Sequence, residues 1–248
     1  MMGSYSYDVV SSSSHFATAV WAAFATLILL RLTRGHGVGR WAIGFFGLSM
    51  VLLYSASALF HGWRYATFEE RLLFQKIDKS AVFLLIAGSY LPVVVYLLQG
   101  RWRRWTFAAV AGAATFGIST LWLAPDLPHE VLVGVYVLLG LSGLAPIRQY
   151  AAVAGWHNAK WAVGIISPYF GGAVVEVLQK PVLLPGWLGP HELMHFADTI
   201  GTLVYFTFLL KVLIRRPPLH DDPIAQSEPV WEPAAPALTR SGFVPASM

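Results

Sequence analysis

The sequence predicts an all-α integral membrane protein, built as a bundle of seven transmembrane helices. Of the 248 residues, 56% are hydrophobic and only 12% are charged, whereas a soluble domain has about 25% charged residues. The mean hydropathy of +0.58 agrees with this composition. Apolar runs of about 20 residues, the length that crosses a bilayer, recur along most of the chain.

Seven such runs justify the predicted helices. A polar segment, residues 1–14, precedes the first run and carries no basic region, so we interpret that run as a retained helix and not a cleaved signal peptide. The sequence PDLP separates the fourth run from the fifth. Pro190 suits the start of the seventh, because proline is favoured in the first turn of a helix. The predicted spans are residues 15–32, 41–61, 77–98, 105–123, 129–147, 161–178 and 190–214.

The last segment, residues 215–248, is predicted to be a Pro-rich disordered tail. Seven of the chain's 15 prolines lie there, among acidic and small residues. The 15–214 region is then a single transmembrane zinc-binding domain, for the reasons given below. The chain has no cysteine, which excludes disulfides, thiolate metal sites and cysteine nucleophiles.

The basic residues lie in short clusters between the predicted helices, and we interpret them as topology signals and not as a nucleic-acid-binding patch. Eleven of them fall on the side of the C-terminal end of the last helix, and five fall on the other side. The positive-inside rule then predicts a cytoplasmic C-terminus and an external N-terminus.

The most informative motif is HELMHFAD, which opens the seventh predicted helix. His191 and His195 are four residues apart and therefore share one helix face, about one turn from each other. Histidines at the mouth of a membrane helix are costly to bury unless they bind something. With His61, which ends the second run, they would make a three-nitrogen zinc site with bonds of about 2.0–2.1 Å. Such a site leaves a position for water, which zinc acidifies to a pKa near 7.

Two oxygen-bearing side chains are candidates for catalysis. Asp78 opens the third apolar run and could accept the proton of the attacking water, while Ser57 precedes His61 by one turn and could donate a hydrogen bond to a substrate oxygen. This set suits attack on a carbonyl group. Alternatively, Asp78 only caps its helix, and Ser57 only bonds the backbone of its own helix.

Other polar residues near these motifs are open to more than one interpretation. Asp198 returns to the face of His195 and is interpreted as a carboxylate that orients a histidine ring, with a plain buried polar group as the alternative. Glu176 is either a pocket group or interfacial and is left unassigned. The lone histidines at helix ends are predicted to be interfacial; these are His15, His129 and His157.

HELMH also matches the HExxH pattern of zinc proteases, in which Glu192 would act as general base. No further signature of such proteases is present in the sequence. The acid expected near the water, Asp78, comes instead from another helix.

Three pieces of the sequence, SALFH, KIDKSAVFLLIAGSYLP and HELMH, resemble the hemolysin III family. This family is part of a larger group that includes the progestin and adipoQ (adiponectin) receptors and, more distantly, the alkaline ceramidases. The resemblance covers roughly residues 15–214. It implies intramembrane zinc on His61, His191 and His195, with Asp78 holding the metal-bound water and Ser57 beside it. It also implies hydrolysis of lipid amides, with the acyl chain held inside the bundle. It further implies that the N-terminus and the zinc site are cytoplasmic, which is opposite to the orientation that the distribution of basic residues predicts.

The leading hypothesis is therefore a zinc-dependent hydrolase of a lipid amide or similar acyl bond, in a bacterial-type plasma membrane. Its expected partner is a membrane lipid or fatty-acyl substrate, and Zn²⁺ is the expected cofactor. The alternatives are a lipid-sensing, receptor-like protein with structural zinc, the protease, and a transporter or pore-forming hemolysin. Polar groups clustered at one end of the helices disfavour a pore.

Overall fold

The computed structural model describes residues 8–124 and 128–219, and these form a helical bundle with one isolated β-bridge, between Leu184 and Leu188. Six helices are long and apolar enough to cross a membrane, and a bent pair makes a seventh span if it is counted as one. The prediction of an all-α membrane bundle is confirmed. The helices are α1 Val9–Leu32, α2 Val38–Gly62, α3 Phe68–Leu97, α4 Gly100–Leu123, α5 His129–Leu141, α6 Ile147–Ala154, α7 Lys160–Leu178 and α8 Pro190–Phe208.

Helices α1 and α3 begin six and nine residues earlier than the apolar runs predict, because polar residues cap them. The Asp8 side chain accepts a hydrogen bond from the Ser11 amide at 3.0 Å, and α1 therefore starts ahead of the serine-rich stretch. Likewise, the Thr67 hydroxyl accepts a hydrogen bond from the Glu70 amide at 3.1 Å, and α3 gains two polar turns. Asp78 consequently lies inside α3, and the alternative that it only caps that helix is wrong.

The predicted fifth span is broken in the structure. After α5 the chain makes a 3₁₀ turn at Ser142–Leu144, and α6 then leaves at an angle of 46°. Pro146, which has no N–H to donate, stands at the break. The Tyr90 hydroxyl of α3 donates to the Leu139 carbonyl at 2.6 Å, so the bend is hydrogen-bonded to the bundle.

Small residues allow α1 to pack closely on α2, and α7 on α8, as is usual between membrane helices. A side chain at Gly47 of α2 would collide with Thr26 of α1, and one at Gly172 of α7 would approach Ala197 of α8 at 2.9 Å. The described chain ends against α3, where the Leu219 amide donates to the Val95 carbonyl at 3.1 Å. Residues 1–7, the first three residues of the PDLP sequence, 125–127, and most of the predicted tail, 220–248, lie outside the described residues.

Candidate metal centre and cavity

The three predicted ligands come together at one end of the bundle. His61 lies in the last turn of α2, and His191 and His195 lie in the first two turns of α8. The Nε2 atom of His191 is 3.3 Å from Nε2 of His61 and 3.0 Å from Nε2 of His195. All three ligand atoms lie within 4.8 Å of one another, an arrangement that could hold a metal ion.

The spacing of these nitrogens fits a zinc ion. Bonds of 2.0–2.1 Å at tetrahedral angles place ligand nitrogens about 3.3 Å apart, close to the two separations observed. Three imidazole nitrogens are also the donor set of known catalytic zinc sites. The side chains present therefore match the group that the sequence predicts.

Each of the three rings turns its other nitrogen towards a neighbouring side chain. Nδ1 of His191 is 3.3 Å from a Glu176 carboxylate oxygen, and Nδ1 of His61 faces an Asp8 oxygen at 3.8 Å. Nδ1 of His195 is 2.8 Å from Nε2 of His15. A histidine that binds metal through Nε2 carries its proton on Nδ1, and a partner at Nδ1 fixes the orientation of the ring.

The prediction that His15 is interfacial is wrong. Only 2% of the residue is exposed, and its ring packs edge-on against His195, with 3.9 Å between the ring centroids. The early start of α1 is the reason, because it places His15 almost two turns inside the helix. Its Nδ1 atom has no hydrogen-bond partner among the described residues.

Glu176, which the sequence left unassigned, belongs to the site. It is buried near the end of α7, where one carboxylate oxygen contacts both His191 and Nε2 of His129, the latter at 3.1 Å. An acidic residue inside an apolar run was the signal that could have identified it. His129 remains half-exposed at the edge of the site.

Asp198 does not orient a histidine in the structure. Its carboxyl group makes no hydrogen bond to a histidine in the described part of the chain, and the outer ring nitrogens already face other groups. The side chain instead lines the cavity below the three histidines. Its backbone carbonyl accepts a hydrogen bond from the Tyr54 hydroxyl at 3.1 Å.

Ser57 and Asp78 both face the same cavity beside the histidines. The Ser57 hydroxyl is buried and makes no hydrogen bond to a backbone group of the described residues, while the Asp78 carboxyl group lies near it. The alternative that it bonds the backbone of its own helix is therefore wrong.

The cavity has a volume of about 390 Å³ and runs from the histidines into the bundle, between α3, α5, α6, α7 and α8. Its walls are mainly hydrophobic, and α3 lines it from Asp78 to Leu97. That stretch of helix rises about 28 Å, nearly the thickness of the bilayer's hydrocarbon core, about 30 Å. Its far end is lined by Leu97, Tyr150, Ala154 and Trp161.

A second pocket of about 290 Å³ lies beside the histidines, and we call it the vestibule. Burial raises the pKa of Tyr65, in its wall, to about 12. Burial also raises the pKa of Asp8, but hydrogen bonds from Ser11 and the nearby His61 outweigh it and leave that pKa below its usual value. The vestibule is lined by Asp8, Phe60, His61, Trp63, Tyr65, Arg71, Gln75 and His191, of which Phe60, His61, Gln75 and His191 also line the cavity.

Comparison with known proteins places these features in a family. The chain is 32% identical over 112 residues to Hemolysin-3 of Bacillus cereus, an alignment covering 44% of this chain and 50% of that protein. It is 24% identical over 180 residues to the Adiponectin receptor protein of Drosophila melanogaster, covering 66% of this chain and 40% of the relative. It is 26% identical over 179 residues to Progestin and adipoQ receptor-like protein 1 of Caenorhabditis elegans, covering 65% and 41%.

The chain spans half or less of the length of these relatives. The profile of the family described as Haemolysin-III related matches residues 4–206, which contain all three sequence motifs. The resemblance noted from the motifs is thereby confirmed. This multi-pass membrane protein belongs to the Haemolysin-III related family.

Proposed function

We propose that the protein is a zinc-dependent hydrolase of a lipid amide or a similar acyl bond. The observation that carries this proposal is the position of the three convergent histidines at the head of a long apolar cavity, beside Ser57 and Asp78. Hydrolysis of an acyl bond needs a Lewis acid, a proton acceptor and a hydrogen-bond donor at one carbonyl group. An apolar cavity of several hundred cubic ångströms suits the acyl chain attached to that carbonyl.

His61, His191 and His195 would hold the zinc ion through their Nε2 atoms. Bound there, zinc would polarise the carbonyl group and lower the pKa of a water molecule. With zinc on Nε2, the Nδ1 protons of His191 and His195 would be donated to Glu176 and His15, which lie 3.3 and 2.8 Å away and would hold both rings with Nε2 facing inward. Neither His191 nor His195 would therefore have to rotate to bind the metal.

Asp78 and Ser57 then divide the remaining work. Asp78 takes a proton from the attacking water, whose oxygen joins the carbonyl carbon, and Ser57 donates a hydrogen bond to the carbonyl oxygen. When the carbon–nitrogen bond breaks, Asp78 returns that proton to the leaving nitrogen. The products are a fatty acid and an amine. The apolar wall of the cavity keeps bulk water from the chain side of this centre.

A lipid-sensing, receptor-like protein with structural zinc is the second candidate, and the names of the fly and worm relatives favour it. Structural zinc sites are closed by four protein ligands. Here three nitrogens converge among the described residues, and Ser57 and Asp78 face the cavity beside them. This geometry supports the hydrolase.

The protease alternative has less support. A Glu192 carboxylate oxygen accepts a hydrogen bond from the Gly189 amide at 2.6 Å, so this side chain caps its own helix. A general base would instead have to face the metal-bound side of the histidines.

The test is to compare wild-type protein with Asp78→Asn in nanodiscs. Each is incubated with N-acyl amides of several chain lengths, and fatty acid release and bound zinc are both measured by mass spectrometry. We expect the wild type to release fatty acid, and Asp78→Asn to retain zinc while losing at least a hundredfold in rate. Zinc without turnover of any acyl amide or ester by the wild type would favour the receptor.

A further inference from the structure

We propose that the cavity selects acyl chains that carry a hydroxyl group close to the carbonyl, and that the Asp198 carboxyl group accepts a hydrogen bond from that hydroxyl. This inference rests on the proposed function, because it specifies the acyl group of the same substrate. Asp78 and Asp198 are the two acids among the described residues that line the cavity. Asp78 serves hydrolysis in the proposed mechanism, and Asp198 has no part in it.

Asp198 lies on the acyl-chain side of the histidines. It lines the cavity three residues after His195 on α8, which is about 4.5 Å farther along the helix. The same helix continues along the cavity wall to Tyr205 and Phe208. A carbonyl group held at the histidines would therefore place the first few carbons of its acyl chain beside Asp198, and the rest of the chain beside aromatic rings.

The Asp198 carboxyl group is open to a ligand in the cavity. It makes no hydrogen bond and no ion pair with any residue in the described part of the chain. The residue is partly buried, and its side chain borders the cavity. A carboxyl group in a mainly apolar wall costs free energy unless it is hydrogen-bonded. A donor on the occupant of the cavity would remove that cost.

The neighbouring hydroxyl groups are all committed elsewhere. The Tyr54 hydroxyl donates to the backbone carbonyl of Asp198 at 3.1 Å. The Thr202 hydroxyl, 2.5 Å away, must then donate to Tyr54. The Tyr169 hydroxyl, 2.8 Å from that of Thr202, donates in turn to Thr202. This chain uses all three hydroxyl protons, so it fixes the backbone of Asp198 and leaves no proton for the carboxyl group.

The wall beyond Asp198 is apolar. The Tyr169 ring packs directly on α8 at Gly201, where an added side-chain carbon would lie 2.5 Å from the ring. The Tyr205 hydroxyl is turned away to donate to the Ser89 carbonyl. One open acceptor near the histidines, followed by aromatic surface, suits a chain with a single hydroxyl near its carbonyl end.

A hydroxyl group fits this position better than other donors. It is neutral, so its transfer into an apolar cavity costs less free energy than transfer of an ammonium group. Its hydrogen bond to a carboxylate is strengthened by the charge of the acceptor. The amide N–H of the substrate is not the donor, because it lies on the opposite side of the carbonyl carbon from the acyl chain.

The experiment uses three neutral probes of equal chain length. These are N-dodecanoyl-ethanolamine, its β-hydroxy derivative, and its ω-hydroxy derivative, whose hydroxyl is at the far end of the chain. Binding is measured by calorimetry in zwitterionic nanodiscs on the zinc-loaded Asp78→Asn protein, with empty nanodiscs as the blank. Asp198→Leu and Asp198→Asn are each added to that background. The control is Thr207→Val, which removes a hydroxyl from the same helix outside the cavity lining.

We expect the β-hydroxy probe to bind about tenfold more tightly than the unsubstituted probe, as a hydrogen bond to a charged group would give. The ω-hydroxy probe should bind no more tightly than the unsubstituted one. Asp198→Leu should abolish the preference without weakening the unsubstituted probe, and Thr207→Val should preserve it. In Asp198→Asn the amide oxygen is an uncharged acceptor, and the preference should fall to about threefold.

Equal binding of the β-hydroxy and unsubstituted probes, or a preference that survives in Asp198→Leu, would overturn the proposal. Equally tight binding of the ω-hydroxy probe would also overturn it, because the cavity would then respond to polarity and not to position. If Asp198→Leu does not fold or retain zinc, Asp198→Asn decides. A reduced preference in that variant supports the proposal, and an unchanged preference contradicts it.

Fatty acid release from the same probes by the wild type separates this proposal from the proposed function. Selective binding of the β-hydroxy probe without hydrolysis of any probe would keep the role of Asp198 and reject the hydrolase. Hydrolysis of all three probes without a binding preference would do the reverse.

Discussion

The two ends of the cavity are held by different forces. One end is formed by His61, His191 and His195, and we call it the metal end because these residues could hold a metal ion. There each histidine ring has a polar neighbour at its outer nitrogen. At the far end the walls are apolar and are shaped by packing and by the bend between α5 and α6. Hydrogen bonds are directional, whereas apolar contacts are not. The metal end therefore specifies geometry, and the far end specifies only size and shape.

Replacing one of the three histidines should have the largest effect on zinc binding at the metal end. In His191→Ala the zinc content should fall to background, because two imidazoles hold zinc far less strongly than three. Plasma mass spectrometry of the purified variant measures this. His157→Ala is the control, since His157 is exposed and contacts Asn158. Wild-type zinc content in His191→Ala would contradict the assignment of this residue.

Removing the charge beside a ligand should have a smaller effect. Glu176→Gln keeps the shape of the side chain but lowers the basicity it confers on His191, and loss of such a partner typically costs 10–100-fold in metal affinity. Competition with a chelator of known affinity measures the change. Glu130→Gln, an exposed acid in the first turn of α5, is the control. An unchanged zinc affinity would mean that the Glu176 contact is incidental.

The local features of the metal end could be predicted from the sequence, whereas the contacts between helices could not. His191 and His195 share a face because helix geometry alone fixes it, and three motifs in order tied them to His61. The outer partners depend on which faces of α1 and α7 meet α8, and the sequence does not state this. Asp198 has the right spacing to orient a ring, but Glu176 and His15 already occupy those positions.

The far end of the cavity was less predictable still. Residues 131–145 are apolar, aromatic or small up to Pro146, so a straight span was the natural prediction, and the structure instead bends there by 46°. The start of α1 could not be predicted either, because a serine-rich stretch has no apolar periodicity. A polar cap at Asp8 fixed that start and carried His15 into the core.

His15 offers a sharper test of the metal end, because its Nε2 atom lies 2.8 Å from Nδ1 of the proposed ligand His195. His15→Leu removes the acceptor and leaves the Nδ1 proton of His195 buried without a partner, which costs about 1–3 kcal/mol. We expect zinc affinity to fall about tenfold, and His15→Gln to restore part of it, because its side-chain oxygen can accept that proton. The visible spectrum of the cobalt-substituted protein reports whether the ligand geometry is retained. An equal loss in both variants would indicate that His15 acts only by filling space.

A substitution at the far end of the cavity should have the smallest effect on zinc content. It is therefore the clearest test of whether the two ends act independently. Ala162 of α7 lines the cavity well away from the histidines, and Ala162→Phe would shorten the space for an acyl chain without touching a polar group. We expect unchanged zinc content and a preference for shorter acyl chains, measured as relative rates or affinities over a series of chain lengths. Val163→Phe is the control, because Val163 is 67% exposed on the outer face of the same helix. If Ala162→Phe lost zinc, the two ends would be mechanically coupled, and the far end would contribute to the geometry of the metal centre as well as to the size of the chain.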